Sequence, residues 1–131
     1  MPEKNRKILI DTNFLLLPSQ HKIDIFSEFK RICDFNYSLF ILDKTIDELD
    51  NIRENSRKND VISANIAKEI INTKRINILK TNDGEVDELI LECAKKNDMI
   101  VATLDKELKK RLKLENIKVI TLRKSRYLII V

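Results

Sequence analysis

The stretch Ile8-Leu-Ile-Asp11-Thr12-Asn13 places an aspartate directly after a short apolar run. The stretch Val101-Ala-Thr103-Leu-Asp105 repeats this arrangement near the other end of the chain. Short apolar runs bounded by polar residues are typical of buried β-strands. Because parallel strands bring their carboxyl ends to the same edge of a sheet, the sequence predicts that Asp11 and Asp105 share one crevice.

Apolar runs of strand length recur along the chain and alternate with stretches of helical pattern. They cover residues 7–10, 37–42, 76–79, 99–102 and 117–121. Strands that alternate with helices predict an α/β fold whose mainly parallel sheet is covered on both faces. A final run at 127–131 follows a turn that is too short for a helical crossover, so we expect an antiparallel edge strand there.

The helical stretches carry their apolar residues on one face. Between the second and third strands, this face is formed by Ile62, Ile66, Ala67, Ile70 and Ile71. Residues at these spacings line one side of an α-helix, so the pattern predicts an amphipathic helix with this face buried.

The composition indicates one globular domain with a mild basic excess. A chain of 131 residues with 43% hydrophobic content is long enough to bury a core, and we expect a single domain over residues 1–131. Lys and Arg number 25 against 21 Asp and Glu, giving a net charge of +4. Basic residues crowd the last quarter of the chain whereas the candidate site is acidic, which favours a polyanion held beside a metal.

Cysteine usage and hydropathy both favour a cytoplasmic protein. Cys33 and Cys93 lie far apart without CxxC spacing, so neither a zinc site nor a redox motif is indicated, and free thiols are expected. No apolar run approaches the roughly 20 residues that a membrane-spanning helix needs. The N-terminal residues lead directly into a strand instead of a signal sequence, so we expect no membrane association.

Each candidate acid also has a purely structural interpretation. Asp11 and Asp105 could cap the helices that follow them. Glu48 ends the sequence Thr45-Ile-Asp-Glu48, which has the form of a capping box in which the glutamate reaches back to the Thr45 amide. Asp47 and Asp50 are rivals of Glu48 for a role in the crevice.

Asp87 is predicted in the first turn of a helix, where any carboxylate gains from the helix dipole. That gain alone would suit Glu85 or Glu88 equally well. Several carboxylates held in one crevice would repel one another unless a cation bound among them. Oxygen ligands suit Mg²⁺ or Mn²⁺, which can also activate a water molecule for attack on phosphorus.

Basic residues after Asp105 form a candidate rim for binding the phosphates of a polyanion. Those on the predicted helix lie opposite its leucines, so an ordinary solvated face is the alternative. The rim residues are Lys106, Lys109, Lys110, Arg123, Lys124 and Arg126.

Together these motifs resemble the PIN-domain ribonucleases. The resemblance rests on residues 8–15, the acidic helix start at Glu48, the segment Val86-Asp87-Glu-Leu-Ile90 and residues 101–108. It covers essentially the whole chain. It implies a three-layer α/β/α sandwich around a mainly parallel five-stranded sheet, and metal-dependent cleavage of RNA.

Carried onto this chain, the resemblance makes four acids both catalytic residues and metal ligands. It makes Asn13 and Thr103 polar supports near metal-bound water. Paired-metal chemistry would leave a 5′-phosphate and a 3′-hydroxyl and needs no nucleophilic side chain, in agreement with the lack of a Ser-His or Cys-His arrangement in the sequence. The four acids are Asp11, Glu48, Asp87 and Asp105.

Within the family, the last quarter of the chain looks most like archaeal PIN proteins similar to small-subunit ribosomal RNA processing factors. A VapC-type toxin is the near alternative, and a non-catalytic RNA-binding scaffold is a third. RNA is the expected partner, a ribosomal precursor or an antitoxin-like protein are further candidates, and a homodimer is left open. A haloacid-dehalogenase-like phosphatase also ends its first strand on an aspartate, but it requires a second acid where Asn13 stands.

Overall fold

The computed structural model describes residues 5–131. It has a six-stranded sheet between two helical layers. The strands are β1 (Arg6–Ile10), β2 (Tyr37–Leu42), β3 (Asn77–Leu79), β4 (Met99–Ala102), β5 (Val119–Arg123) and β6 (Tyr127–Ile130). The helices are α1 (Thr12–Leu15), α2 (Leu17–His21), α3 (Ile25–Ile32), α4 (Asp43–Asn55), α5 (Lys58–Thr73), α6 (Val86–Asn97) and α7 (Lys106–Leu114).

The strand order in the sheet is β3-β2-β1-β4-β5-β6. The first five strands are parallel, and β6 pairs with β5 in the antiparallel sense. The predicted α/β class, the parallel sheet and the antiparallel edge strand are therefore confirmed. β1 and β4 are neighbours, with Ile10 opposite Ala102, so the strands that precede Asp11 and Asp105 lie side by side.

Two strands begin later than predicted because their expected first residues close the preceding helices. Ile76 donates its amide to Ile71, and Ile117 donates its amide to Leu112, each reaching back five residues. The residue before each isoleucine has a positive φ. This is the Schellman arrangement, in which an apolar residue packs back on the helix end, so these isoleucines are buried without belonging to a strand.

Alternate residues of the central strands face two separate cores. Ile8 and Ile10 of β1 pack in the core on the side of α1 to α5, whereas Leu9 packs in the core that contains residues of α6 and α7. Each of these three side chains is 1% exposed or less. Burial on both faces explains the uninterrupted apolar run, since the strand has no solvent-facing side.

The predicted buried face of α5 is partly wrong. Ile62 and Ile66 are 46% and 40% exposed, whereas Ala67 and Ile71 are buried as predicted, together with Ser63 and Ala64. The Ser63 hydroxyl bonds to that of Ser19 at 2.8 Å, and α5 packs mainly on α4. Small residues allow these helices to approach closely, so the buried stripe in the first half of α5 is turned away from Ile62 and Ile66.

α3 covers the outer edge of β6 with a pair of charged side chains. The Leu128 amide donates to Glu28 Oε1 at 2.9 Å, and its carbonyl accepts from Arg31 Nη2 at 2.8 Å. These partners satisfy backbone groups that would otherwise offer a free strand edge. The covered edge holds the β5–β6 hairpin in place at the margin of the sheet.

The two cysteines are free thiols, as expected. Both are half-buried, and burial raises the pKa of Cys33 to about 11 and also raises the pKa of Cys93. A thiol with a raised pKa forms little of the reactive thiolate. Among the helices of residues 5–131, none is long and apolar enough to cross a membrane.

Candidate active site

Asp11 follows β1 at the carboxyl edge of the sheet and caps α1. Its amide donates to the Ala102 carbonyl at 2.9 Å, which extends the pairing of β1 with β4 by one residue. Its Oδ1 accepts from the Thr12 amide at 2.9 Å. The capping role and the crevice position therefore coexist in one carboxylate.

Thr103 connects Asp11 to Asp105. Its side chain is fully buried, and its hydroxyl donates to Asp11 Oδ2 at 2.9 Å. The same hydroxyl oxygen accepts from the Asp105 amide at 3.1 Å. Thr103 thus fixes the orientation of Asp11 and the path of the chain into Asp105.

Asp105 caps the N-terminus of α7. Its Oδ1 accepts from the amides of Glu107 at 2.9 Å and Leu108 at 3.1 Å. The residue is exposed, so the cap stands at the rim of the crevice. Like Asp11, Asp105 therefore both caps a helix and lies close to the other candidate ligands.

Glu48 lies in the second turn of α4, and its interpretation as part of a capping box is wrong. α4 begins at Asp43 with Leu42 as its N-cap, so Thr45 already lies inside the helix. The start is earlier because Asp43 accepts hydrogen bonds from the Thr81 amide and hydroxyl. Glu48 Oε1 is buried and has no hydrogen-bond partner among the described residues.

The rivals of Glu48 have other surroundings. Asp50 pairs with Lys68 of α5 and with Arg53. Asp47 is exposed, whereas Glu48 is half-buried, and its pKa is raised first by burial and then by the charges of Asp11 and Asp87. Of Asp47, Glu48 and Asp50, therefore, Glu48 is the acid that lies beside the other candidate ligands.

A hydroxyl pair joins α1 to α4 beside Glu48. Thr12 and Thr45 are 2% and 3% exposed, and their Oγ1 atoms lie 2.9 Å apart. The Thr12 hydroxyl also lies close to the Glu48 carboxyl and opposes the rise in its pKa. Burying two hydroxyls is costly unless they bond to each other or to a nearby group.

Asp87 lies in the first turn of α6 and is half-buried. Its neighbours Glu85 and Glu88 are exposed, and Glu88 forms an ion pair with Arg111 of α7. The Arg111 charge also lowers the pKa of Asp87, against a net rise caused first by burial. Asp87 is thus the member of this acidic turn that faces the crevice.

The four predicted acids form one electrostatic group. Burial is the largest cause of the raised pKa of Asp11, and the charges of Asp87 and Asp105 raise it further. Asp11 and Asp87 raise the pKa of Glu48, and Asp105 raises that of Asp87. Repulsion of this kind favours either protonation or a bound cation.

The donor set fits a hard divalent cation. Within residues 5–131, no group of three acidic, histidine or cysteine side chains is already arranged to hold an ion. The available donors are nevertheless all oxygens, which Mg²⁺ and Mn²⁺ prefer, and the unpartnered Glu48 Oε1 is a buried acceptor. A cation here would offset the burial and the repulsion that together raise the pKa values of Asp11, Glu48 and Asp87.

Asn13 is exposed in the first turn of α1, directly after Thr12. This position is beside Asp11 and open to solvent, as a contact to a bound water would require. Its supporting role remains a prediction, as does that of Thr103, for which the hydrogen bonds above provide a physical basis.

The predicted basic rim divides between α7 and the β5–β6 hairpin. Lys106 directly follows Asp105, whereas Lys109 and Lys110 lie about one turn further along α7. β5 runs parallel to β4 and continues past Ile120, the partner of Ala102, to Arg123. The hairpin with Arg123, Lys124 and Arg126 therefore projects from the same edge of the sheet as the acids.

Thr12, Thr45 and Arg111 are site residues that the sequence did not single out. The spacing of Thr45 and Glu48 in the sequence indicates a capping box, which would start α4 at Thr45. The helix in fact begins at Asp43. Arg111 was visible as part of the basic run Lys109-Lys110-Arg111. Its pairing with α6 depends on how the two helices pack, which has no local sequence signal.

The sequence of this chain matches one protein family and two ribonucleases. The family described as "PIN like domain" matches residues 8–125. Ribonuclease VapC4 of Methanocaldococcus jannaschii is 33% identical over 124 residues, which cover 92% of this chain and 93% of that protein. Ribonuclease VapC9 of Archaeoglobus fulgidus is 27% identical over 117 residues, covering 88% of this chain and 82% of that protein.

Solved structures share the fold. The PIN domain endonuclease Utp24 superposes with a TM-score of 0.75 at 24% identity, over 95% of this chain and 90% of that chain. A domain of a functionally unknown protein from Methanocaldococcus jannaschii gives a TM-score of 0.61 at 17% identity, over 90% of this chain and 91% of that chain. At these identities the structural matches support the three-layer architecture alone.

Proposed function

The chain belongs to the PIN-like domain family, and on that premise we propose that it is a divalent-metal-dependent endoribonuclease. The observation that carries the proposal is the meeting of Asp11, Glu48, Asp87 and Asp105 at one edge of the sheet, where burial, and then the neighbouring carboxylates, raise the pKa values of Asp11, Glu48 and Asp87. The relatives named ribonucleases VapC4 and VapC9 match nearly the whole chain, which supports RNA as the substrate.

In this proposal the four acids hold Mg²⁺ or Mn²⁺. The ion, when bound, would supply Lewis-acid stabilisation of the phosphate and a water of lowered pKa. Asp11 would be held in place by the Thr12 amide and the Thr103 hydroxyl, and Asp105 by the first amides of α7. Ligands fixed by such neighbouring bonds lose little freedom when they bind an ion.

The basic rim would hold the RNA phosphates next to the acids. Basic side chains beside the crevice are needed because an acidic crevice without its metal repels a polyanion. Lys106 and the hairpin arginines lie at the correct edge of the sheet for this purpose. The rim, as proposed, consists of Lys106, Lys109, Lys110, Arg123, Lys124 and Arg126.

The hairpin tip supports this assignment through its backbone. Lys124 and Ser125 have φ values of 54° and 53°, and the Arg126 amide donates to the Arg123 carbonyl at 3.1 Å. Asn-Gly or Asp-Gly is preferred in two-residue turns with two positive φ angles. Holding other residues there costs on the order of 1 kcal/mol each or more, and such strain concentrates at binding sites.

We expect the Arg123→Ala, Arg126→Ala double variant to bind single-stranded RNA less tightly and with less dependence on salt. Each phosphate contact on a single strand contributes about 0.7 to the slope of log affinity against log salt, so losing two contacts should flatten the slope by roughly 1.4. The measurement is a fluorescence titration at several salt concentrations, with Asp11→Asn in both proteins to prevent cutting.

The matched control for this titration is Lys96→Ala, Lys118→Ala. Both lysines are exposed and lie at the opposite edge of the sheet, near the C-terminus of α6 and the start of β5. This variant loses the same net charge and should keep the slope. Equal slopes for the hairpin variant and the starting protein would mean that the hairpin charges only face solvent.

Two cellular roles share this chemistry. Processing of ribosomal RNA is one, supported by the resemblance of the last quarter of the chain to archaeal processing factors. A VapC-type role with an antitoxin-like partner is the other, and the 33% identity to Ribonuclease VapC4 favours it. The free thiols agree with a reducing cytoplasm in either role.

The experiment that tests the proposal is incubation of EDTA-treated protein with total RNA, with and without added Mn²⁺. Cleavage that requires Mn²⁺ supports the enzyme, and the cut sites distinguish ribosomal precursors from other RNA. Binding of RNA without metal-dependent cutting would instead support the non-catalytic scaffold.

A further inference from the structure

The hydroxyl pair of Thr12 and Thr45 does not hold a metal or touch the substrate in the function proposed above, yet it is buried at the centre of the site. Within residues 5–131, the buried polar side chains are those of Thr12, Thr45, Ser63 and Thr103. Valine has nearly the same shape as threonine and no desolvation cost, so stability alone does not require a hydroxyl at either position.

The pair bridges the segments that carry two of the candidate ligands. Thr12 directly follows Asp11, and Thr45 precedes Glu48 by three residues, which places both on one side of α4. The bridged residues are 33 positions apart in sequence, with their Oγ1 atoms at 2.9 Å. The bond therefore sets the position of the Glu48 turn relative to Asp11.

Either hydroxyl of the bridge can be the donor, but the number of available protons favours one direction. Each threonine hydroxyl donates one hydrogen and accepts others. If Thr45 donates to Thr12, the Thr12 hydrogen is free to point at the Glu48 carboxyl, to which it lies close. That arrangement holds one side of the carboxylate and leaves Oε1, a buried oxygen without a partner among the described residues, available to a bound ion.

We propose that Thr45 is a positioning residue that acts through Thr12 to orient Glu48 for metal binding. The inference rests on the proposed function, because it assumes that Glu48 is a ligand. Side chains that orient metal ligands typically change affinity by 10–100-fold when they are removed. Thr45 would therefore be expected to influence metal affinity without contacting the ion.

The test is calorimetric titration of Mn²⁺ into the metal-free full chain. We expect Thr45→Val to weaken Mn²⁺ binding by about tenfold, and Thr45→Ser, which keeps the hydroxyl, to restore most of the affinity. In a Glu48→Gln background, Thr45→Val should cause little further loss because its effect passes through the Glu48 carboxylate. If Thr45→Val does not fold, Thr12→Val breaks the same bond from α1 and should give at least an equal loss.

Ser63→Ala is the matched control. It removes another buried hydroxyl, which bonds to Ser19 of α2 at 2.8 Å and to none of the candidate ligands, and it should leave Mn²⁺ affinity unchanged. Unchanged affinity in Thr45→Val, or an equal loss in the Glu48→Gln background, would overturn the positioning role. Failure of the wild-type protein to bind Mn²⁺ would instead overturn the proposed function, and the inference with it.

Discussion

Asp11→Asn and Asp105→Asn should each abolish RNA cleavage while the protein remains folded. The two residues follow neighbouring strands and are joined through Thr103, so each change removes a charge from the same crevice. Asparagine can still accept the capping hydrogen bonds that both aspartates make, so the helices should keep their starts. Loss of a metal ligand should lower the cleavage rate by at least about a hundredfold.

Rates of RNA cleavage in saturating Mn²⁺ provide the measurement, and circular dichroism confirms the fold of each variant. Asp98→Asn is the matched control, because Asp98 precedes β4 at the opposite edge of the sheet. Asn tolerates the positive φ of 53° found there, so this variant should fold and cut normally. Near-normal cleavage by Asp11→Asn or Asp105→Asn would remove that residue from the metal site.

The second large effect is stabilisation of the native protein by Mg²⁺ or Mn²⁺. An ion that binds only the folded state, present at a hundred times its Kd, adds about 2.7 kcal/mol to the free energy of unfolding. For a domain of this size that raises Tm by roughly 10 °C. Thermal unfolding of EDTA-treated protein, with and without millimolar metal, measures the effect.

The same measurement on Asp11→Asn separates metal binding from general salt effects. The pKa of Asp11 is raised in the folded protein, so its ionisation destabilises the native state as pH rises through the window between its ordinary and raised values. At neutral pH the metal-free variant should therefore be more stable than wild type, and metal should add less. A wild-type Tm that is indifferent to metal would favour the non-catalytic scaffold.

The sheet and the positions of the acids could be predicted because their signals are local. The run Ile8-Leu-Ile-Asp11 gives both the strand and its carboxyl end, and the same holds for the strand before Asp105. Parallel pairing then requires that such ends meet at one edge. The order and direction of the strands alone therefore predict that Asp11 and Asp105 share one crevice. No side-chain contact is needed for this prediction.

The errors lie where tertiary contacts override a local pattern. Thr45 and Glu48 have the spacing of a capping box, but hydrogen bonds from Thr81 to Asp43 extend the helix toward its N-terminus. Ile62 and Ile66 have helical spacing, but close packing of α5 on α4 selects the smaller residues for burial. Thr81 lies 38 residues from Asp43, and the burial of α5 depends on how two consecutive helices pack, so neither is visible in the local pattern.

If the acidic crevice uses a divalent metal to cut RNA, the chemistry of the cut ends is the most direct measurement of it. Purified protein is incubated with a labelled single-stranded RNA in Mn²⁺ or in EDTA, and the product termini are identified. We predict cleavage only with Mn²⁺, leaving 5′-phosphate and 3′-hydroxyl ends, and none by Asp11→Asn. Cleavage in EDTA, or equal cleavage by Asp11→Asn, would contradict the account.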